Sequence, residues 1–141
     1  MSRPNLDPRG IPEGYPFRPE IEMSAADARA AMSGSTPFLL IDVRRADEWE
    51  AAHVPGSVLV PLHELESRVD EIEAGKDAPI GVLCHHGARS LKAAFLLRAL
   101  GFSNARSIVG GIDLWSLAVD PAIPRYDTIG GRCVRLPGGP R

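Results

Sequence analysis

The sequence predicts an α/β fold, a parallel sheet covered by helices on both faces. Three observations predict it. Short apolar runs alternate along the chain with helix-patterned stretches, the order of βα units. The runs Phe38 to Ile41 and Pro79 to Leu83 are continuous rather than alternating, as in strands buried on both faces. Finally, 141 residues, 44% hydrophobic and 24% charged, suffice for one soluble domain with a proper core and are too few for two ordinary ones.

The elements follow in order. Residues 1–19 carry Pro4, Pro8, Pro12, Pro16 and Pro19. Proline lacks a backbone donor and disfavours helix before it, so this extension is expected to run extended along the surface, tied down by Tyr15 and Phe17. Ser24-Ala25-Ala26-Asp27 starts a helix through about Met32, with Gly34 as its stop. Phe38 to Ile41 is a strand ending in Asp42. A short helix covers Ala46 to Ala52, and Ser57 to Val60 is a short strand closed by Pro61. Leu62, Leu65, Val69 and Ile72 follow helical spacing. Pro79 to Leu83 is a strand running into Cys84. Ser90 to Leu100 is helical, with Gly101 as the stop. Arg106 to Val109 is a last strand before Gly110-Gly111 and a helix around Leu114. The tail from Gly130, rich in glycine and proline, is expected to fray, which gives a domain over 20–129 and a loose segment over 130–141.

Net charge is −2, which leaves no electrostatic footprint for nucleic acid. No apolar run approaches the ~20 residues of a membrane span. The N-terminal stretch MSRPNLDPRGIPEGYPFRPE has no apolar core of the kind a secretory signal needs. The two cysteines, Cys84 and Cys133, make no disulfide framework. Together these point to a reducing cytoplasm, where a thiol stays free to react.

The chemistry concentrates in Cys84-His85-His86-Gly87-Ala88-Arg89-Ser90. Cys84 lies at the carboxyl end of a strand, where open α/β sheets bind ligands. The loop His85 to Arg89 leads into a helix, whose first turn offers unpaired N–H groups to an anion. Gly87 permits torsions that larger residues resist, and Arg89 adds a forked cation. Such surroundings lower a cysteine pKa from ~8.5 and favour the nucleophilic thiolate. Four residues separate Cys84 from Arg89. The phosphate loop of tyrosine phosphatases is similar but has five. The tighter ring suits a single terminal sulfur better than three phosphate oxygens.

The chain resembles the single-domain rhodaneses, a family of sulfurtransferases, over roughly Ile21 to Tyr126. The resemblance rests on Leu40-Ile41-Asp42-Val43-Arg44 with Glu48-Trp49, on His53-Val54-Pro55-Gly56-Ser57, on the Cys84 loop, and on Gly110-Gly111-Ile112-Asp113-Leu114-Trp115. It implies a rhodanese-like, five-stranded parallel sheet with helices on both faces. It also implies a ping-pong cycle in which Cys84 takes sulfur from a donor such as thiosulfate and hands it to cyanide or a thiol. The partners implied are small-molecule sulfur donors and acceptors, or proteins in those roles, with no cofactor. The residue after the cysteine is often basic in thiosulfate-preferring members; here it is His85.

Each residue also has a plainer reading. Cys84 is either this nucleophile or a buried apolar cysteine at a strand end. Arg89 either contacts the anion or pairs on the surface. His85 and His86 invite a metal site with Cys84, but three consecutive residues rarely converge on one ion, so no metal is expected. Ser90 is a helix cap or a hydrogen-bond partner of the loop. Asp42 and Arg44 form a structural pair, or Arg44 supports substrate at the rim. Trp49 and His53 read as packing residues, and Gly110-Gly111 as a tight turn beside the loop. Cys133 is a resolving thiol or an incidental one. The rival functions are a cysteine phosphatase or arsenate reductase on the same sheet, and a non-catalytic binding module.

Overall fold

The computed structural model describes residues 5–137. The chain runs β1 (Glu22–Met23), α1 (Ala25–Met32), β2 (Leu39–Asp42), α2 (Ala46–Ala51), β3 (Val58–Leu59), β4 (Ile80–Leu83), α3 (Ala88–Ala99), β5 (Ala105–Ile108), α4 (Gly111–Ala118), β6 (Tyr126–Ile129) and β7 (Arg132–Arg135). Five strands form one parallel sheet in the order β1-β5-β4-β2-β3. The central strand, β4, is buried at all four positions, which is why it reads as an unbroken apolar run.

Alternation along the strands divides the core into two layers. Ile41, Val43, Ile80, Val82 and Ala105 pack with Ala93, Ala94 and Leu97 of α3. Leu40, Leu83 and Ile108 point the other way, against Ala25 and Ala28 of α1 and Ile112 and Trp115 of α4. Cys84 continues the β4 alternation into the α3 layer. The catalytic candidate is thereby aimed at the start of α3.

Four details depart from the sequence reading. The pair Glu22–Met23 forms an additional edge strand on β5, fixed at Glu22↔Ser107 and Met23↔Ile108. Residues 62–72 do not form one helix; they form two 3-10 turns, Leu62–Glu64 and Val69–Glu71. A 3-10 turn stacks residues i and i+3, so the spacing of Leu62, Leu65, Val69 and Ile72 suits it equally well. Helix α3 begins at Ala88, two residues before the expected start, because Gly87 takes φ 115° and caps it.

The fourth departure is the tail. The segment expected to fray from Gly130 folds back as β7, antiparallel to β6. Gly130 and Gly131 have φ of 60° and 77°, the left-handed pair that a tight two-residue hairpin turn requires. One face of the hairpin carries Tyr126, Cys133 and Arg135. It lies on α2, where the Arg135 Nε donates to the Ala51 carbonyl at 2.7 Å. The last four residues of the expected tail, 138–141, lie outside the described residues.

The proline-rich extension is docked from residue 5. Asp7 accepts from the Arg9 and Ile11 amides, closing a turn that buries Ile11 against Val109 and Leu114. The Tyr15 hydroxyl donates to buried Glu22. Burial and that carboxylate push the Tyr15 phenol up to about 12. Among the described residues no helix is long and apolar enough to cross a membrane.

Candidate active site

Strand β4 delivers Cys84 to the carboxyl edge at the centre of the sheet, beneath the turn that opens α3. The residue is 1% exposed. The Gly87 N–H donates to its Sγ at 3.0 Å, and the Sγ–H in turn donates to the Ser90 Oγ at 3.3 Å. Ser90 is fully buried. Its hydroxyl donates to the Gly87 carbonyl at 3.1 Å and meets the Ser107 Oγ at 2.7 Å. Ser107, on β5, is a site residue that local sequence reading missed. A hydroxyl carries one proton but two acceptor lone pairs. With a thiol, Ser90 accepts from sulfur; with an anionic sulfur, its proton turns to the sulfur while Ser107 donates from behind. The pocket therefore serves both charge states of the sulfur without exposing it to water.

The loop is fixed by the start of α4. Ile112 N donates to the Cys84 carbonyl at 2.8 Å and Asp113 N to the His85 carbonyl at 3.2 Å. Two of the free amides of a helix N-terminus thus satisfy the Cys84 and His85 carbonyls. This contact explains Gly110-Gly111. A Cβ on Gly111 would lie 2.4 Å from both the Cys84 and His85 carbonyl oxygens. The pair is a tight turn beside the loop, as the sequence suggested.

Arg89 is paired with a carboxylate rather than hydrogen-bonded to the sulfur. Its Nη1 and Nη2 donate to Glu48 Oε1 and Oε2 at 2.6 and 2.8 Å, a bidentate pair. The pair takes two of the five guanidinium N–H groups and leaves three for the expected anion contact. Glu48, on α2, is 1% exposed and offers two carboxylate oxygens that match the guanidinium fork, a partner invisible to local sequence. Glu48 also accepts from the Tyr126 hydroxyl at 2.8 Å and the Arg45 N–H at 3.1 Å. Burial pushes its carboxyl up, but the bonds from Arg89 and Tyr126 outweigh this and leave it at about 2.

Arg44 is not at the rim. It is wholly buried and paired to Asp42 at 2.7 Å. All five of its side-chain donors are engaged, by Asp42, by the Glu48 and Ala52 carbonyls and by the Tyr126 hydroxyl. No donor remains for a substrate, so Asp42 and Arg44 are the structural pair. Burial lowers the Arg44 guanidinium and the Asp42 carboxylate more than restores it. Glu48 and Tyr126 are the two further residues the sequence reading did not assign to the site.

The histidines divide. His85 is 8% exposed, with its ring stacked on Tyr126 at 4.0 Å and its Nε2 at 3.1 Å from the Tyr126 carbonyl. A carbonyl accepts only, so Nε2 carries the proton. Burial, and then His86, hold the His85 imidazole below its ordinary value, so it is neutral at pH 7. His86 is exposed and lines a cleft of about 290 Å³ with Pro12, Gly110, Asp113 and Arg125. On the other side of the loop, Arg89 and Lys92 line a cleft of about 560 Å³ with Val43, Pro61 and Leu62. Trp49 and His53 stack at 4.1 Å as a packing pair. Cys133 sits on the hairpin with its Sγ 3.5 Å from Asp47, and burial, then that carboxylate, push its thiol up. Among the described residues no group of three or more His, Cys, Asp or Glu is placed to hold a metal ion.

A parallel sheet that ends its central strand in a cysteine, with a loop amide donating to the sulfur, defines a cysteine-loop α/β domain. The family model described as Rhodanese-like domain matches residues 24–118, and the chain belongs to that family. It is 40% identical over 95 residues to the adenylyltransferase and sulfurtransferase MOCS3-2 of Zea mays, covering 64% of this chain and 20% of that protein. It is 36% identical over 98 residues to the putative sulfur carrier protein YrkF of Bacillus subtilis, covering 70% of this chain and 51% of that one. The chain thus spans about a fifth of the first relative and about half of the second. Among solved structures it is similar to the human single-domain sulfurtransferase TSTD1, with TM-score 0.58 and 28% identity over 67% of this chain and 93% of that one. The expected five-stranded rhodanese-like sheet is the one observed.

Proposed function

We propose that the protein is a sulfurtransferase in which Cys84 carries a sulfane sulfur. The observation that supports this most is the Gly87 N–H aimed at Sγ, backed by the Ser90–Ser107 hydroxyl pair. These donors hydrogen-bond an anionic sulfur on a residue that is 1% exposed. In the first half-reaction the Cys84 thiolate attacks the outer sulfur of thiosulfate. The new S–S bond forms as the old one breaks, and sulfite leaves with the bonding electron pair. Cys84 is left as a persulfide anion. In the second, cyanide or a thiol attacks the terminal sulfur and the Cys84 thiolate departs, ready for another cycle. The sulfur carrier and sulfurtransferase relatives favour a protein as donor or acceptor in the same scheme. A reducing cytoplasm is the compartment this chemistry asks for, since it keeps Cys84 as a free thiol.

Steady-state assay tests the proposal. With thiosulfate and cyanide, the purified protein should form thiocyanate, and Cys84→Ala should lower that rate to the uncatalysed level. Cys133→Ala should retain it. Hydrolysis of an aryl phosphate without any thiocyanate formation would instead support the phosphatase reading.

A further inference from the structure

The β6–β7 hairpin begins at Tyr126, beyond the residues 24–118 that the family model matches. Yet Tyr126 is 2% exposed and meets the site three times. Its ring stacks on His85, nearly parallel at 13°. Its carbonyl takes the His85 Nε2–H. Its hydroxyl donates to Glu48, the carboxylate that grips Arg89. The two residues so fixed, His85 and Arg89, are the first and last of the loop between Cys84 and Ser90.

We infer that the hairpin is a working part of the site and that Tyr126 is its positioning residue, walling the His85 side of the loop and, through Glu48, setting Arg89. This rests on the sulfurtransferase reading. The loop is held from three directions: by the α4 amides on its carbonyls, by Glu48 on Arg89, and by Tyr126 on His85. The His85 side is closed by the hairpin, whereas Arg89 lines the larger cleft. Tyr126, 2% exposed, lies behind His85 and Glu48, so its role is positioning rather than contact with the donor. Without the wall, the His85 ring loses its stack, the α4 amides alone hold the loop, and the Gly87 amide two residues on loses part of its aim at the sulfur. A small misplacement of a stabilising donor is enough to slow the chemical step markedly.

Tyr126→Ala separates this from a merely structural role. It should lower kcat for thiocyanate formation about tenfold, leaving KM for thiosulfate unchanged. It should also let the His85 imidazole, read by NMR and assigned by its loss in His85→Gln, titrate closer to the ordinary ~6.5. The charged and titratable groups around that ring are His86, Asp113 with its partner Arg125, and Glu48 with Arg89; the substitution removes none of them, and of these only Glu48 loses a bond, the one from the Tyr126 hydroxyl. Tyr126→Phe keeps the stack, so the His85 titration should stay as in the wild type while kcat falls about threefold from the lost Glu48 bond. Ile129→Ser, on the exposed outer face of the hairpin, should change neither. An unmoved His85 titration or an unchanged kcat in folded Tyr126→Ala protein overturns the inference. Should the alanine variant not fold, an unchanged kcat in Tyr126→Phe overturns it. A wild-type protein that makes no thiocyanate overturns the sulfurtransferase reading instead, and the His85 titration then tests the wall alone.

Discussion

At Glu48 three segments meet: Arg89 from the active loop, Tyr126 from the hairpin and the Arg45 amide at the start of α2. A buried carboxylate persists only where donors saturate it. Its acid range is a direct expectation. Folded Glu48 titrates at about 2, below its ordinary 4.5. Between those values the unfolded chain binds a proton that the folded chain does not, so stability rises with pH there. Its contribution is whole above about pH 4.5 and is lost as pH falls towards 2, on the order of 2–3 kcal/mol. Urea unfolding from pH 2 to 6 should show that slope in the wild type and a shallower one in Glu48→Gln; equal slopes would remove Glu48 from this role. Sequence made Cys84, Gly87 and Ser90 legible because their contacts are local. The Glu48–Arg89 pair spans 41 residues and the Glu48–Tyr126 bond 78, distances no local pattern encodes.

Among the elements, the start of α4 matters most to the loop. Gly111 has φ 62° and leaves no room for a Cβ against the Cys84 and His85 carbonyls. Gly111→Ala should destabilise the fold by at least ~1–2 kcal/mol from the left-handed torsion alone. The displaced loop should also remove most activity. A variant with wild-type melting temperature and activity would contradict the packing described. The longer strands were readable because β2 and β4 are continuous apolar runs. β1 was not, since two residues beside Ser24 carry no period. The hairpin was overlooked because most positions of β6 and β7 face solvent. Its Gly-Gly turn signal was read as looseness rather than as a type-specific hairpin turn.

The whole molecule places a cysteine at the centre of its sheet edge, then closes around it. Two core layers hold β4; α4, α2 and the hairpin each fix a different part of the loop; the docked N-terminal arm packs on Val109 and Leu114 beside it. The result is a sulfur 1% exposed yet hydrogen-bonded by the Gly87 amide. That burial sets Cys84 apart from an open reactive thiol. The measurement that bears most directly on it is the intact mass of the protein after thiosulfate and then cyanide. The mass should rise by one sulfur atom in the wild type and in Cys133→Ala, fall back with cyanide, and stay constant throughout in Cys84→Ala. A wild-type mass that thiosulfate leaves unchanged, or a sulfur gained equally by Cys84→Ala, would contradict the account.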